Sequence, residues 1–149
     1  MSQHAELYDT DFFLWTKQQA AALRDGKLQD LDLENLAEEI ESLGKSDRRA
    51  LGSHLEGLVM HLLKWRYQPD RRQTGHSWAS TIRTHRSEID AIVEDSPSLR
   101  RALPDLLARR YSIARQRASD ETGLPLATFP TTCPWTIEQV VDAAFWPEE

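Results

Sequence analysis

Apolar side chains return every third or fourth position along almost the whole of this 149-residue chain, and no stretch sustains the alternation that a strand requires. A chain with only helical stripes to bury packs helix on helix. The expected fold is therefore an all-α, single-domain bundle (residues 1–149) of five or six helices joined by short loops. Gly and Pro mark the joints. Residues 1–8 read as an N-terminal arm, and the first helix begins near Asp9–Asp11, whose carboxylates suit a donor-rich helix start. It runs to about Asp25, where Gly26 supplies a stop. Asp32 caps a second helix, "LENLAEEIESL", closed by Gly44. Ser46 opens a third over 47–67, which Pro69 ends. "PDRRQTG" is a turn-rich connection to a fourth helix from Ser77 to Asp95. Ser96 and Pro97 open a short helix over 97–103, and Pro104 separates it from a longer one over 104–122, closed by Gly123. Residues 123–135, with three prolines in "PLATFPTTCP", form an extended loop. Thr136 and Gln139 match a capping box at the head of a short terminal helix over 136–146.

The stripes name the core. On the first helix Phe12, Thr16, Gln19, Ala20 and Leu23 share a face, with Trp15 on its border and Phe13 and Leu14 pointing elsewhere. A helix apolar on more than one side is either deeply buried or shared with a partner. On the second, Leu33, Leu36, Ala37, Ile40 and Leu43 form the stripe, and Glu34, Glu38, Glu39 and Glu41 lie off it. Leu51, Leu55, Leu58 and Leu62 centre the third. Trp78, Ile82, Ile89, Ile92 and Val93 line the fourth, and Leu103, Leu107, Tyr111, Ala114 and Ala118 line the helix over 104–122.

Charge is segregated behind a net −6. Residues 1–44 carry 3 basic and 10 acidic side chains, residues 45–117 carry 15 and 8, and residues 118–149 carry none and 6. Such a chain either pairs its own acidic and basic segments or offers a basic face to a polyanion. The single cysteine, Cys133, excludes an intrachain disulfide and a cysteine-rich zinc site and favours a reducing compartment. The N-terminal residues have no secretory pattern, and no apolar run approaches the roughly 20 residues of a membrane span. Cytoplasmic location and no membrane contact are expected.

Candidate chemistry centres on histidine. In "HLEGLVMHLLKWRY", His54 and His61 fall on one shoulder of the buried stripe, with Gly57 between them. Glycine there lets a backbone or ligand approach closely, at a cost of about 1 kcal/mol in helix propensity. Seven residues is two turns, roughly 10.5 Å of axis, too far for two histidines of one helix to share an ion comfortably. His85, near the middle of the fourth helix's apolar face, is the group able to meet them across an antiparallel packing, with Glu38 or Glu41 nearby and Glu88 one turn away. The di-metal carboxylate bundles use Glu-x-x-His twice. Here His-x-x-Glu occurs once. Histidines bonded in and around the core are the simpler reading. His4 and His76 occupy terminal or loop positions.

Other chemistry is thinner. No Gly-rich phosphate loop, G-x-S-x-G elbow, HExxH or Cys-x-x-Cys is present. Cys133 lies just before a helix start that is able to lower its pKa, but a lone cysteine in a Pro-flanked loop is more often unreactive. The arginines over 83–117 suggest nucleic acid, yet on the 104–122 helix Arg109, Arg110, Arg115 and Arg117 point in several directions, and the pI near 5.4 is far from a basic binder's. Their simpler role is to neutralise acidic residues of the flanking segments.

"LAEEIESLGKSDRRAL", "HLLKW…QP", "SW…TI…R", "SLRRAL" and "FP…CPW", in this order, resemble the bacterial domain-of-unknown-function family twenty-nine. The resemblance runs from about Tyr8 to Pro147. It implies a small, cytoplasmic, all-helical bacterial protein, and it brings no activity, substrate or catalytic residue.

Three functional readings remain. The leading one is a non-enzymatic protein–protein interaction module that self-associates or binds a protein partner and needs no cofactor. The second is a metal-binding helical protein, hydrolysis being the reaction an open metal site would support, with a divalent metal on His54, His61 and His85 and a carboxylate from Glu38 or Glu41. The third is nucleic-acid binding through the basic middle segment. No catalytic residue or small-molecule substrate is legible.

Overall fold

The structure, a computed structural model, describes residues 3–73 and 76–148. Those residues form six α-helices, with no strand among them: α1 Gln3–Thr10, α2 Phe12–Arg24, α3 Leu33–Tyr67, α4 His76–Asp95, α5 Leu103–Thr122 and α6 Ile137–Val141. The connections carry short 3-10 turns at Leu28–Asp30, Pro69–Arg71, Pro97–Ala102 and Leu126–Thr128. None of the described helices is long and apolar enough to cross a membrane. The all-α expectation holds.

Several boundaries follow their caps. The Asp11 carboxylate accepts from the Leu14 amide at the head of α2. Gly123 ends α5 in the left-handed region at φ +74°, and Thr136 and Gln139 make the reciprocal capping box of α6. Other boundaries differ. Residues 1–8 were expected as an arm, yet Gln3–Thr10 is helical, tied down where the Tyr8 ring meets the edges of Phe12 and Trp15 and its hydroxyl donates to Glu39. The expected second and third helices are one helix of 35 residues, α3. Gly44 stops nothing because it keeps an ordinary helical φ; only Gly26 and Gly123 are left-handed among the described glycines. A mid-helix glycine costs about 1 kcal/mol, which a long helix with a buried stripe absorbs. Residues 97–102 wind as 3-10, and α6 stops at Val141, where Asp142 turns extended. His4 and His76 fall within α1 and at the start of α4, with side chains outside the described residues.

The chain divides into two compact units, Met1–Ser46 and Asp47–Glu149, and α3 supplies residues to both. In the first, the buried side chains of α2 are Trp15, Gln19 and Ala22. The expected face is rotated, leaving Phe12 and Leu23 47% and 54% exposed. The cause is polar. Trp15 Nε1 donates to Asp32 Oδ2 (3.1 Å), and the Gln19 amide donates to the Asp30 carbonyl (3.2 Å) while its oxygen accepts from the Asp32 amide (2.7 Å). A buried amide needs those partners, so Trp15 and Gln19 turn inward and the flanking apolar residues turn out.

The second unit has the conventional core. Leu51, Leu55, Leu58 and Leu62 of α3 are fully buried, against Ile82, Ile89 and Val93 of α4 and Leu103, Leu107, Tyr111, Ala114 and Ala118 of α5. Each buried leucine or isoleucine contributes about 1.5–3 kcal/mol of transfer free energy. The Pro-rich loop is fastened by buried Phe129 and by bonds to its carbonyls, from Tyr111 Oη to Pro130 and from Arg115 Nε to Phe129 (3.0 Å). Arg86, 2% exposed, donates from Nε to the Val140 carbonyl of α6 (2.9 Å) and lies over the Trp146 ring.

Candidate functional site: a histidine pair and an uncovered helix face

The second unit brings His85 of α4 to α3. Its Nδ1 lies 3.0 Å from Nδ1 of His54, and its ring centroid is 6.2 Å from that of His61. All three imidazoles are half-buried. Gly57 makes the approach possible: a Cβ there would stand 2.6 Å from His85 Nε2, inside any tolerable contact. The close approach that Gly57 permits is that of an imidazole. His61 is held separately, its Nδ1 donating to the Gly57 carbonyl (2.8 Å), which leaves Nε2 as the lone-pair nitrogen. Burial, reinforced by His54, His61 and Arg117, pushes His85 down to about 4 against a smaller upward pull from Glu88. Burial also lowers His61, partly offset by its bond to Gly57. Both rings are thus neutral near pH 7, with lone pairs available.

Glu38 and Glu41 are exposed side chains on the Met1–Ser46 portion of α3. Among the described residues, no three His, Cys, Asp or Glu side chains are grouped to hold one metal ion. A carboxylate that the sequence reading passed over is Glu56, mostly buried, which accepts from Arg110 (3.2 Å) and Arg117 (2.8 Å). The signal was available: Arg110 and Arg117 are seven apart and therefore share a helix face. They converge instead of pointing apart. The basic segment also finds partners inside itself, since Asp105 takes both Arg48 and Arg109, and Lys64 pairs with Glu121 of the acidic third segment. Arg86 and Arg115 donate from Nε to the Val140 and Phe129 carbonyls.

Cys133 borders a mainly apolar groove of about 280 Å³ with Pro104, Leu107, Tyr111 and Thr132. Burial raises the thiol's pKa, against a smaller downward pull from its hydrogen bond with the Trp135 backbone.

The first unit presents a different feature. Leu33, Ile40 and Leu43 on α3 are 69%, 67% and 69% exposed, and Phe12, Phe13, Leu14 and Leu23 on α2 and Leu28 beyond it are exposed as well. At about 100° per residue, Leu33 and Leu51 share one azimuth and Ile40 and Leu58 another. Along those azimuths Leu51 and Leu58 are sealed and Leu33 and Ile40 are bare, while Leu36 between them is half-buried. Glu41 on one side and Glu39, bonded to Tyr8, on the other stand roughly a quarter-turn from the face of Leu33 and Ile40, and Glu34 and Glu38 lie farther round the helix.

Comparison with known proteins adds a family. No curated protein and no solved structure matches the chain. The profile of one family covers residues 7–146, and on that match the chain belongs to the family described as Domain of unknown function DUF29.

Proposed function

We propose that the protein is a non-enzymatic, cytoplasmic interaction module whose Met1–Ser46 unit docks a basic amphipathic helix of a partner protein. The observation carrying this reading is the uncovered stripe of Leu33, Ile40 and Leu43, each about two-thirds exposed, on a helix that buries the same stripe farther along. Large apolar side chains at helical spacing favour a partner helix set into the same ridges. Charge selects which one. The unit carries 10 acidic and 4 basic side chains, and its net negative charge would attract the lysines or arginines bordering a basic helix's apolar face. A second copy docking by this same face would set one acidic unit against another, so the proposed partner is a different chain.

The test uses a synthetic amphipathic helix of leucine and lysine, titrated into the full-length protein, beside its leucine–glutamate counterpart. The basic peptide is expected to bind, weakening as salt rises, and the acidic one to fail. Equal affinity for both, or for neither, contradicts the proposal. Sedimentation at low ionic strength is expected to show a monomer; a dimer abolished by polar substitutions at Leu33, Ile40 and Leu43 would replace the basic helix with a second copy.

A further inference from the structure

We propose that His54 and His85 form a binding site for a divalent transition metal of borderline softness, such as nickel(II), copper(II) or zinc(II), with water completing its shell. The argument begins with spacing. Metal–nitrogen bonds of about 2.0–2.1 Å hold two cis ligand nitrogens about 3 Å apart, and the two Nδ1 atoms are 3.0 Å apart. The two rings, whose Nδ1 atoms face each other in the metal-free pair, turn to aim both lone pairs at one ion. In the metal-free pair one Nδ1–H donates to the other Nδ1. On binding, both Nδ1 lone pairs go to the ion, and the hydrogen of the donating Nδ1 moves to Nε2 of its own ring.

The surroundings suit that chemistry. α3 has no side chain at Gly57, where a Cβ would be 2.6 Å from His85 Nε2, and this gap seats the ring with Nδ1 turned to His54. Half-burial keeps His85 neutral yet leaves the pair reachable by water and ion. Two imidazoles and open water positions suit the nitrogen-preferring metals, with affinity rising toward copper(II). His61 stands beside the pair as a neighbour, engaged with the Gly57 carbonyl, and it is not a ligand.

Nickel(II), titrated calorimetrically into tag-free full-length protein at neutral pH, tests the site. One equivalent is expected to bind the wild type. Affinity is expected to fall at least about tenfold in His54→Ala and His85→Ala, and in Gly57→Ala, which displaces His85 without removing a ligand. His61→Ala is expected to bind as the wild type does. Circular dichroism checks that each variant keeps its helices, and His85→Gln replaces His85→Ala should the latter fail to fold. No binding by the wild type, unchanged binding in both His54→Ala and His85→Ala, or loss confined to His61→Ala would overturn the assignment.

Discussion

Gly57 is the residue on which the histidine pair depends, and its replacement separates two opposing effects. Alanine improves helix propensity by about 1 kcal/mol, but its Cβ would strike His85 Nε2 at 2.6 Å, an overpacking that costs about 1–3 kcal/mol. Gly57→Ala alone is expected to destabilise the fold in urea titration. In a His85→Ala background the clash is gone, and the same change is expected to stabilise by up to about 1 kcal/mol. Stability should also depend on the protonation of His85. Its folded pKa is about 4 against 6.5 for the free side chain, lowered by burial and by His54 and His61 of α3 and Arg117 of α5, against Glu88 of α4. The unfolded chain therefore binds more protons between those values. Stability is expected to fall as pH drops from 6.5 toward 4, and to fall less steeply in His85→Gln; parallel curves would show that His85 does not titrate as its surroundings require.

At the scale of the element, α3 makes the sharpest claim, that one helix runs through Gly44. The glycine has open space around it and a negative φ, so Gly44→Ala is expected to stabilise by about 1 kcal/mol. A true helix stop in the left-handed region would make alanine destabilising, which is the expectation for Gly123→Ala. Gly44 also shows where sequence reading reaches its limit. Gly44 with Ser46 two residues on has the same letters as a stop and a fresh cap, and only backbone conformation distinguishes them. The stripes of α4 and α5 were legible because burial there follows simple periodicity. That of α2 was misread by a rotation, because bonds from Trp15 and Gln19 to residues 30–32 outweighed the apolar pattern. The histidine site was half legible. His54, Gly57 and His61 could be placed on one shoulder from the wheel. The pairing of His85 with His54 rather than His61 depends on the register between α3 and α4, which no local pattern carries.

Over the molecule as a whole, the contrast between the two units carries the functional account. Of the large hydrophobic side chains exposed among the described residues, only Ile113 and Leu126 lie beyond residue 46. The remaining eight belong to the smaller, acidic unit, so uncovered apolar surface is concentrated where negative charge is concentrated too. Leu33, Ile40 and Leu43 contribute little to folding while exposed, so their replacement should leave stability within about 0.5 kcal/mol. The direct test is the triple variant Leu33→Gln, Ile40→Gln, Leu43→Gln, compared with wild type for affinity toward the leucine–lysine helix. The account predicts unchanged thermal unfolding and at least about tenfold weaker binding. A variant that unfolds with the wild type and binds the peptide equally well would show that this face is not where a partner docks.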